Sequence, residues 1–278
     1  MNVHVICLRP RADRVLGRFG RYLESNNKWS LSDKPDPTAT VNYMVNYADG
    51  WARYSDVKTK TAAWFTHPEE EPKKRALWDG AASSMDLRVT GCERYANELS
   101  SYGPTQHIPS PVERDRFIPK VKSKGNTVGI GGFARGPRKG VWMVAELAKR
   151  YSKFTWRASG EGWPVPCKGY SWTDMPGFYQ SLDVFLCTSL LEGGPMGPIE
   201  ALSCGVPVVV PEHVGLIDEL PHMRGIYRYE AGNVDDCAKA LCKALVSGGD
   251  PNELRRKTDQ YSVPNWCERH RQVFEALL

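Results

Sequence analysis

No stretch of this 278-residue chain approaches the about 20 consecutive apolar residues that a membrane-spanning helix needs. The apolar run ahead of Arg9 is too short for a secretory leader, so the sequence predicts a protein that stays in the cytoplasm. None of the eight cysteines forms a C-x-x-C pair, and no His/Cys group has zinc spacing. Cys7 lies within VICL and Cys187 within VFLCT, so the cysteines read as small buried hydrophobes of a reduced protein. Internal repeats and low-complexity tracts are also missing, which excludes a solenoid or a long disordered linker.

Excess charge is missing from one half of the chain. Residues 126–278 hold 17 Lys and Arg against 17 Asp and Glu, whereas residues 1–125 hold 20 against 15. The whole net charge of +5 therefore lies in the first half, where Arg9, Arg11, Arg14, Arg18 and Arg21 fall close together. A solvated face accounts for such a cluster, and so does an anionic partner. The length suits two Rossmann-like halves of about 120–150 residues each.

The most informative stretch is 192–211, EGGPMGPIEALSCGVPVVVP. Its VPVVV segment is a β-branched apolar run suited to a parallel strand buried on both faces. Residues 198–204 read as a short helix, with Pro198 at its first position and Gly205 as its left-handed stop. The Gly193-Gly194-Pro195 loop leads into that helix, and a helix N-terminus behind such a loop attracts a phosphate. Glu192 and Glu200, with seven residues between them, flank the place. Carboxylates repel phosphate but accept hydrogen bonds from hydroxyls, so the pattern suits a nucleotide sugar, with pyrophosphate between ribose and hexose. Taken alone, Glu200 reads as a first-turn dipole partner and Glu192 as a solvated loop charge.

The string E-x7-E followed by ALSCGVPVV resembles the nucleotide-sugar motif of the retaining family-4 glycosyltransferases, which have the two-domain GT-B fold. The string from Tyr179 to Gly193, Y-x3-D-V-x4-S-x2-E-G, is similar to the same family. The resemblance implies that Glu192 contacts donor-sugar hydroxyls and Glu200 the ribose, with Gly193, Gly194, Pro195 and Met196 lining the donor site. It also implies a G-R…K-G loop whose Arg and Lys hold the pyrophosphate. Lys139-Gly140 matches that pattern after Gly132, but Ala134 stands at the usual arginine position. Either Arg135 reaches in from a shifted loop or Arg138 substitutes. His67, in a T-H dipeptide at a strand end before Pro68, corresponds to a donor-positioning histidine of the family; a structural role is the alternative. Trp163 or Val165 is placed near the base.

Other elements follow from local pattern. Strands are expected at 2–8, 39–47, 61–66, 85–90, 127–132, 153–158 and 183–187. Helices are expected at 14–25, 69–78 (exposed), 92–99, 141–150, 175–181, 233–247, 251–261 and 264–278. Residues 26–36 read as a loop. Residues 107–119 resemble the family's crossover, and 120–125 read as a linker.

The expected fold is α/β: two Rossmann-like domains with mostly parallel sheets facing across a cleft. Residues 1–120 form a shortened acceptor domain, 121–262 the nucleotide-sugar domain, and 263–278 a terminal helix that returns to the first. The implied activity is retaining transfer of a hexose from a UDP- or GDP-type sugar to an acceptor hydroxyl. The resemblance, together with the lack of a convincing D-x-D motif, implies that no metal is used, and no cofactor is expected. The acceptor is expected to be anionic: a lipid-linked glycan, a surface glycan or modified DNA, with peripheral contact to a membrane. An epimerase or phosphorylase on the same fold, and a catalytically degenerate nucleotide-binding module, are the alternatives.

Overall fold

The structure is a computed structural model and describes residues 2–10, 14–48, 58–68, 70–121, 123–134 and 136–277. It divides into two compact units, Met1–Pro109 with Val263–Leu278, and Ser110–Ser262. The sequence expectation placed the first boundary at 120; residues 110–121 pack instead within the second unit.

In unit 1, β1 (Val3–Ile6), β2 (Ser30–Ser32), β3 (Val41–Met44), β4 (Lys60–Phe65), β5 (Leu87–Thr90) and β6 (Thr105–His107) form one sheet in the order β2-β1-β3-β4-β5-β6. Every pair is parallel. All residues of β1, β3 and β5 are buried, as a parallel sheet covered on both faces requires. The helices are α1 (Val15–Asn27), α2 (Pro72–Ser84) and α3 (Glu93–Leu99). Two expectations need correction. Residues 26–36 contain β2, an edge strand with one apolar residue, which His4 ties in through the Ser30 and Ser32 hydroxyls at 2.7 and 2.9 Å. The helix expected from 69 starts at Pro72, which suits a first helical position, and Trp78 on it is fully buried. Glu69, the first residue of that expected helix, lies outside the described residues.

The last helix, α9 (Val263–Ala276), belongs to unit 1 and packs on α1. Asn27 Nδ2 donates to the Cys267 carbonyl at 3.0 Å. Trp266 meets Phe19 with ring centroids 5.0 Å apart, and Phe274 meets Trp29 at 5.3 Å and Tyr43 at 5.0 Å. Fully buried His270 sits in this aromatic cluster. Its Nδ1 donates to the Trp266 carbonyl at 2.9 Å, and its Nε2 accepts from the Tyr43 hydroxyl at 3.0 Å. Burial favours the neutral ring, which satisfies both bonds at once.

Unit 2 contains β7 (Thr127–Gly131), β8 (Thr155–Ser159), β9 (Cys167–Lys168), β10 (Val184–Leu186), β11 (Val208–Pro211) and β12 (Ile226–Tyr229), in the order β12-β11-β10-β7-β8-β9. All pairs are parallel. This is the Rossmann strand order, which reverses direction between β7 and β10. Its helices are α4 (Val141–Arg150), α5 (Met175–Gln180), α6 (Met196–Ser203), α7 (Val234–Ser247) and α8 (Pro251–Arg256). Val128, Ile130, Val184, Leu186, Val209 and Leu241 lie in the core. Segment 110–121 is tied to α6 and α8: Ser203 Oγ donates to the Phe117 carbonyl at 2.8 Å, and Arg255 Nη2 to the Arg114 carbonyl at 2.8 Å.

The expected fold class, α/β with two Rossmann-like units and parallel sheets, is what the chain adopts. No described helix is long and apolar enough to cross a membrane. Of the cysteines, Cys167 is exposed and Cys242 half-buried, so the expectation of buried cysteines fails for those two.

Burial pushes the His270 pKa down to about 3, against an ordinary value near 6.5. The unfolded chain therefore binds a proton that the folded chain refuses between these values. Stability is whole above pH 6.5 and falls by up to about 1.4 kcal/mol per pH unit below it, until about pH 3. Urea unfolding followed by tryptophan fluorescence should show the gap between wild type and His270→Gln shrinking by about 2 kcal/mol from pH 7 to pH 5. A gap that ignores pH would contradict the neutral buried ring.

Candidate functional site

Two loops leave the carboxyl ends of adjacent strands at the reversal point of sheet 2, where doubly wound folds bind ligands. One runs from β7 to α4 through Gly132 and a short 3-10 turn, Pro137–Lys139. The other runs from β10 through Thr188, Glu192 and Gly193-Gly194 to α6. They are in backbone contact. Leu190 N donates to the Arg138 carbonyl at 2.6 Å, and Thr188 Oγ1 to the Lys139 carbonyl at 2.8 Å. Gly140, at φ 62°, caps α4 so close to Thr188 that a Cβ there would lie 2.1 Å from the Thr188 carbonyl oxygen. Glycine is required at that position by both its conformation and its space.

This approach brings Glu192 onto the cations of the first loop. Arg138 Nη1 donates to Glu192 Oε1 at 2.9 Å, and Lys139 Nζ donates to the same oxygen. The Glu192 and Lys139 side chains are only 12% and 17% exposed, so solvent screens the pair weakly. Arg138 is 37% exposed and also reaches the Leu191 carbonyl at 3.3 Å. Glu192 is thus an ion-pair partner here, not a solvated loop charge. Of the two arginines left open by the sequence, Arg138 meets Glu192; Arg135 lies outside the described residues.

The Glu192–Gly193 backbone is held from behind. Gly215, at φ 58°, lies so close that a Cβ would sit 2.1 Å from the Glu192 carbonyl oxygen, and Leu216 N donates to the Gly193 carbonyl at 3.2 Å. The turn Gly215–Glu219 is fastened in its turn by Arg228 of β12, which donates to the Ile217 and Leu220 carbonyls at 3.0 and 2.6 Å.

Helix α6 begins at Met196, two residues earlier than expected, with Pro195 as its N-cap. Pro198 is tolerated as the third residue because the first-turn N–H groups have no helical partner anyway. Gly193, Gly194 and Pro195 therefore lead into the helix, as predicted, and Met196 is its first residue rather than part of the loop before it. Gly205 follows it at φ 72°, the left-handed stop that was expected. Glu200 is consequently the fifth helical residue, in the second turn, and the helix has no acidic residue in its first turn. The expectation of a first-turn dipole partner is corrected: Glu200 is 4% exposed, and Tyr179 of α5 donates its hydroxyl to Oε2 at 2.7 Å. A buried carboxylate needs such donors to remain charged.

Tyr179 was not singled out as a site residue from the sequence. A tyrosine beside Phe178 on a short buried helix reads as packing, and only its hydroxyl separates the two roles. Trp163 serves the site indirectly: it is buried and donates Nε1 to the Gly132 carbonyl at 2.8 Å, bracing that turn. His67 is buried in unit 1, two residues beyond β4. Burial pushes the Cys204 thiol up to about 12, with the Glu200 charge adding to it, and raises the Cys187 thiol too. Neither sulfur is poised as a thiolate nucleophile. Among the described residues, no group of three or more His, Cys, Asp or Glu side chains is placed to hold a metal ion.

The five-arginine cluster of the first half is not one solvated face. Arg18 is buried on α1, Arg21 donates to the Pro10 carbonyl at 2.8 Å, and Arg11 lies outside the described residues. Arg9 and Arg14 are exposed.

Known proteins are similar to this chain in one sequence segment and in fold. Residues 165–262 match the family model described as glycosyl transferases group 1. A segment of 119 residues is 24% identical to the lipopolysaccharide core biosynthesis mannosyltransferase LpsB of Rhizobium meliloti; it covers 38% of this chain and about a third (32%) of that protein's length. Sucrose-phosphate synthase of Thermosynechococcus elongatus superposes with a TM-score of 0.82 at 12% identity, covering 100% of this chain and 99% of that one. HepE of Anabaena, solved with UDP, gives 0.77 at 11% identity over 99% and 100% of the two chains. The chain has the GT-B glycosyltransferase fold, and its segment 165–262, which carries Glu192, α6 and Glu200, matches the group 1 glycosyl transferases.

Proposed function

We propose that this protein is a retaining, metal-independent glycosyltransferase that moves a hexose from a nucleoside-diphosphate sugar to an acceptor hydroxyl. The observation that carries the reading is the meeting of Lys139 and Arg138 with Glu192 at the entry to α6, with a buried Glu200, held by Tyr179, in the second turn of the same helix. Cations and a helix N-terminus suit a diphosphate; two carboxylates flanking them suit sugar hydroxyls. Further support comes from HepE, solved with UDP and with UDP-glucose, and from LpsB, a mannosyltransferase.

In this reading Glu200 accepts from the ribose hydroxyls and Tyr179 orients it. Lys139 and Arg138 stabilise the charge that gathers on the departing diphosphate, the task a metal performs elsewhere. The acceptor hydroxyl attacks the anomeric carbon on the face from which the diphosphate leaves. A new carbon–oxygen bond forms as the bond to the phosphate oxygen breaks, and the hydroxyl proton passes to that oxygen. The protein contributes orientation and leaving-group stabilisation.

Transfer from UDP- and GDP-hexoses, assayed in EDTA, tests site and metal independence together. Wild type should turn over, while Lys139→Ala and Glu200→Ala should each lose about 10²–10³ in rate. Loss of wild-type activity in EDTA, restored by Mg²⁺ or Mn²⁺, would refute metal independence; near-native variants would refute the site.

The acceptor is proposed to be anionic, a lipid-linked or surface glycan, because the net charge of +5 falls wholly within residues 1–125. Exposed Arg14 is the residue to reverse. Arg14→Glu should raise the acceptor KM about fivefold at low salt and less at high salt, and leave the donor KM unchanged. An acceptor KM indifferent to both changes would remove the electrostatic argument.

A further inference from the structure

The Glu192 carboxylate already occupies the cations that the proposed reading gives to the diphosphate. One oxygen, Oε1, accepts from both Arg138 Nη1 and Lys139 Nζ, as a phosphate oxygen would. The backbone around Glu192 is clamped by Gly215 and Leu216 on one side and by the 188–190 contacts on the other. The loop is thus held in place, and the side chain is the part able to change partners. Two anions cannot share the same few donors without repelling each other at close range.

We propose that Glu192 is an internal competitor for the diphosphate, so that the site selects a sugar nucleotide over the bare nucleoside diphosphate. The inference rests on the glycosyltransferase reading. Binding of any diphosphate displaces the carboxylate from Lys139 and Arg138. When the diphosphate carries a hexose, the displaced carboxylate gains hydroxyl donors in exchange for the cations. When the diphosphate is bare, no such donors arrive and the cost of breaking the ion pair is not recovered. After transfer the hexose leaves on the acceptor, and the carboxylate returns to its cations and helps to expel the product. Glu192 then serves specificity and turnover, beyond the recognition of hydroxyls.

The competition makes opposite predictions for the two ligands. Glu192→Gln keeps the shape and removes the charge. Its Kd for UDP or GDP, whichever binds wild type, should fall by about tenfold, because a charge-assisted contact no longer opposes binding. Its Kd for the matching UDP-glucose or GDP-mannose should stay level or rise, and product inhibition by the bare diphosphate should deepen. Calorimetry on the full chain measures each constant, and thermal melts of the unliganded variant confirm that it is folded. An unchanged or weakened affinity for the bare diphosphate in Glu192→Gln, with Lys139→Ala abolishing that affinity, overturns the competition and leaves the glycosyltransferase site standing. No binding of any of the four probes by wild type overturns both.

Discussion

Everything proposed for the site depends on how closely two loops approach at the reversal point of sheet 2. The carbonyl of Thr188 and the backbone of Gly140 leave no room for a side chain between them. That contact sets Lys139 and Arg138 against Glu192, although 53 residues separate Lys139 from Glu192. Because the contact is made by backbone, little of it depends on flexible side chains. It is reinforced by hydrogen bonds from Leu190 and Thr188 to the 3-10 turn, and from behind by the turn that Arg228 fastens.

The two carboxylates differ in their surroundings. Glu200 is inside the helix layer, with a tyrosine hydroxyl fixing one of its oxygens. Glu192 stands at the mouth of α6, paired to cations. A buried carboxylate with a neutral donor is well placed to accept further hydrogen bonds in a fixed geometry. A carboxylate held by cations is bound by forces that another anion can replace. Fixed and exchangeable acceptors on either side of a helix N-terminus suit a ligand with hydroxyls at both ends and a diphosphate between them.

Much of this was legible in the sequence, and the omissions share a cause. The central strands announce themselves: VPVVV becomes β11 and TVGIG becomes β7, because a strand buried on both faces must be apolar throughout. The four strands that sequence reasoning left out, β2, β6, β9 and β12, are the four sheet edges. Ser30–Ser32 has a single leucine, Cys167–Lys168 is exposed, and Arg228 interrupts Ile226–Tyr229. The family resemblance, more than local patterning, singled out Lys139, Glu192 and Glu200 one by one. Their partners were hidden because the contacts join loops of strands that are neighbours in the sheet and distant in the chain. The arginine-rich segment misled in the opposite direction: spacing alone did not reveal that α1 turns Arg18 inward with Phe19 and Leu23.

Backbone hydrogen exchange with and without a sugar nucleotide tests the central claim most directly, because it maps the site without assuming an acceptor or a reaction. If the two loops form the donor site, UDP- or GDP-hexose should slow exchange in peptides covering 131–140 and 188–200, with the largest effect at the N–H groups of Gly193–Met196 that open α6. Protection elsewhere in unit 2, with these two segments unchanged at saturating ligand, would contradict the account.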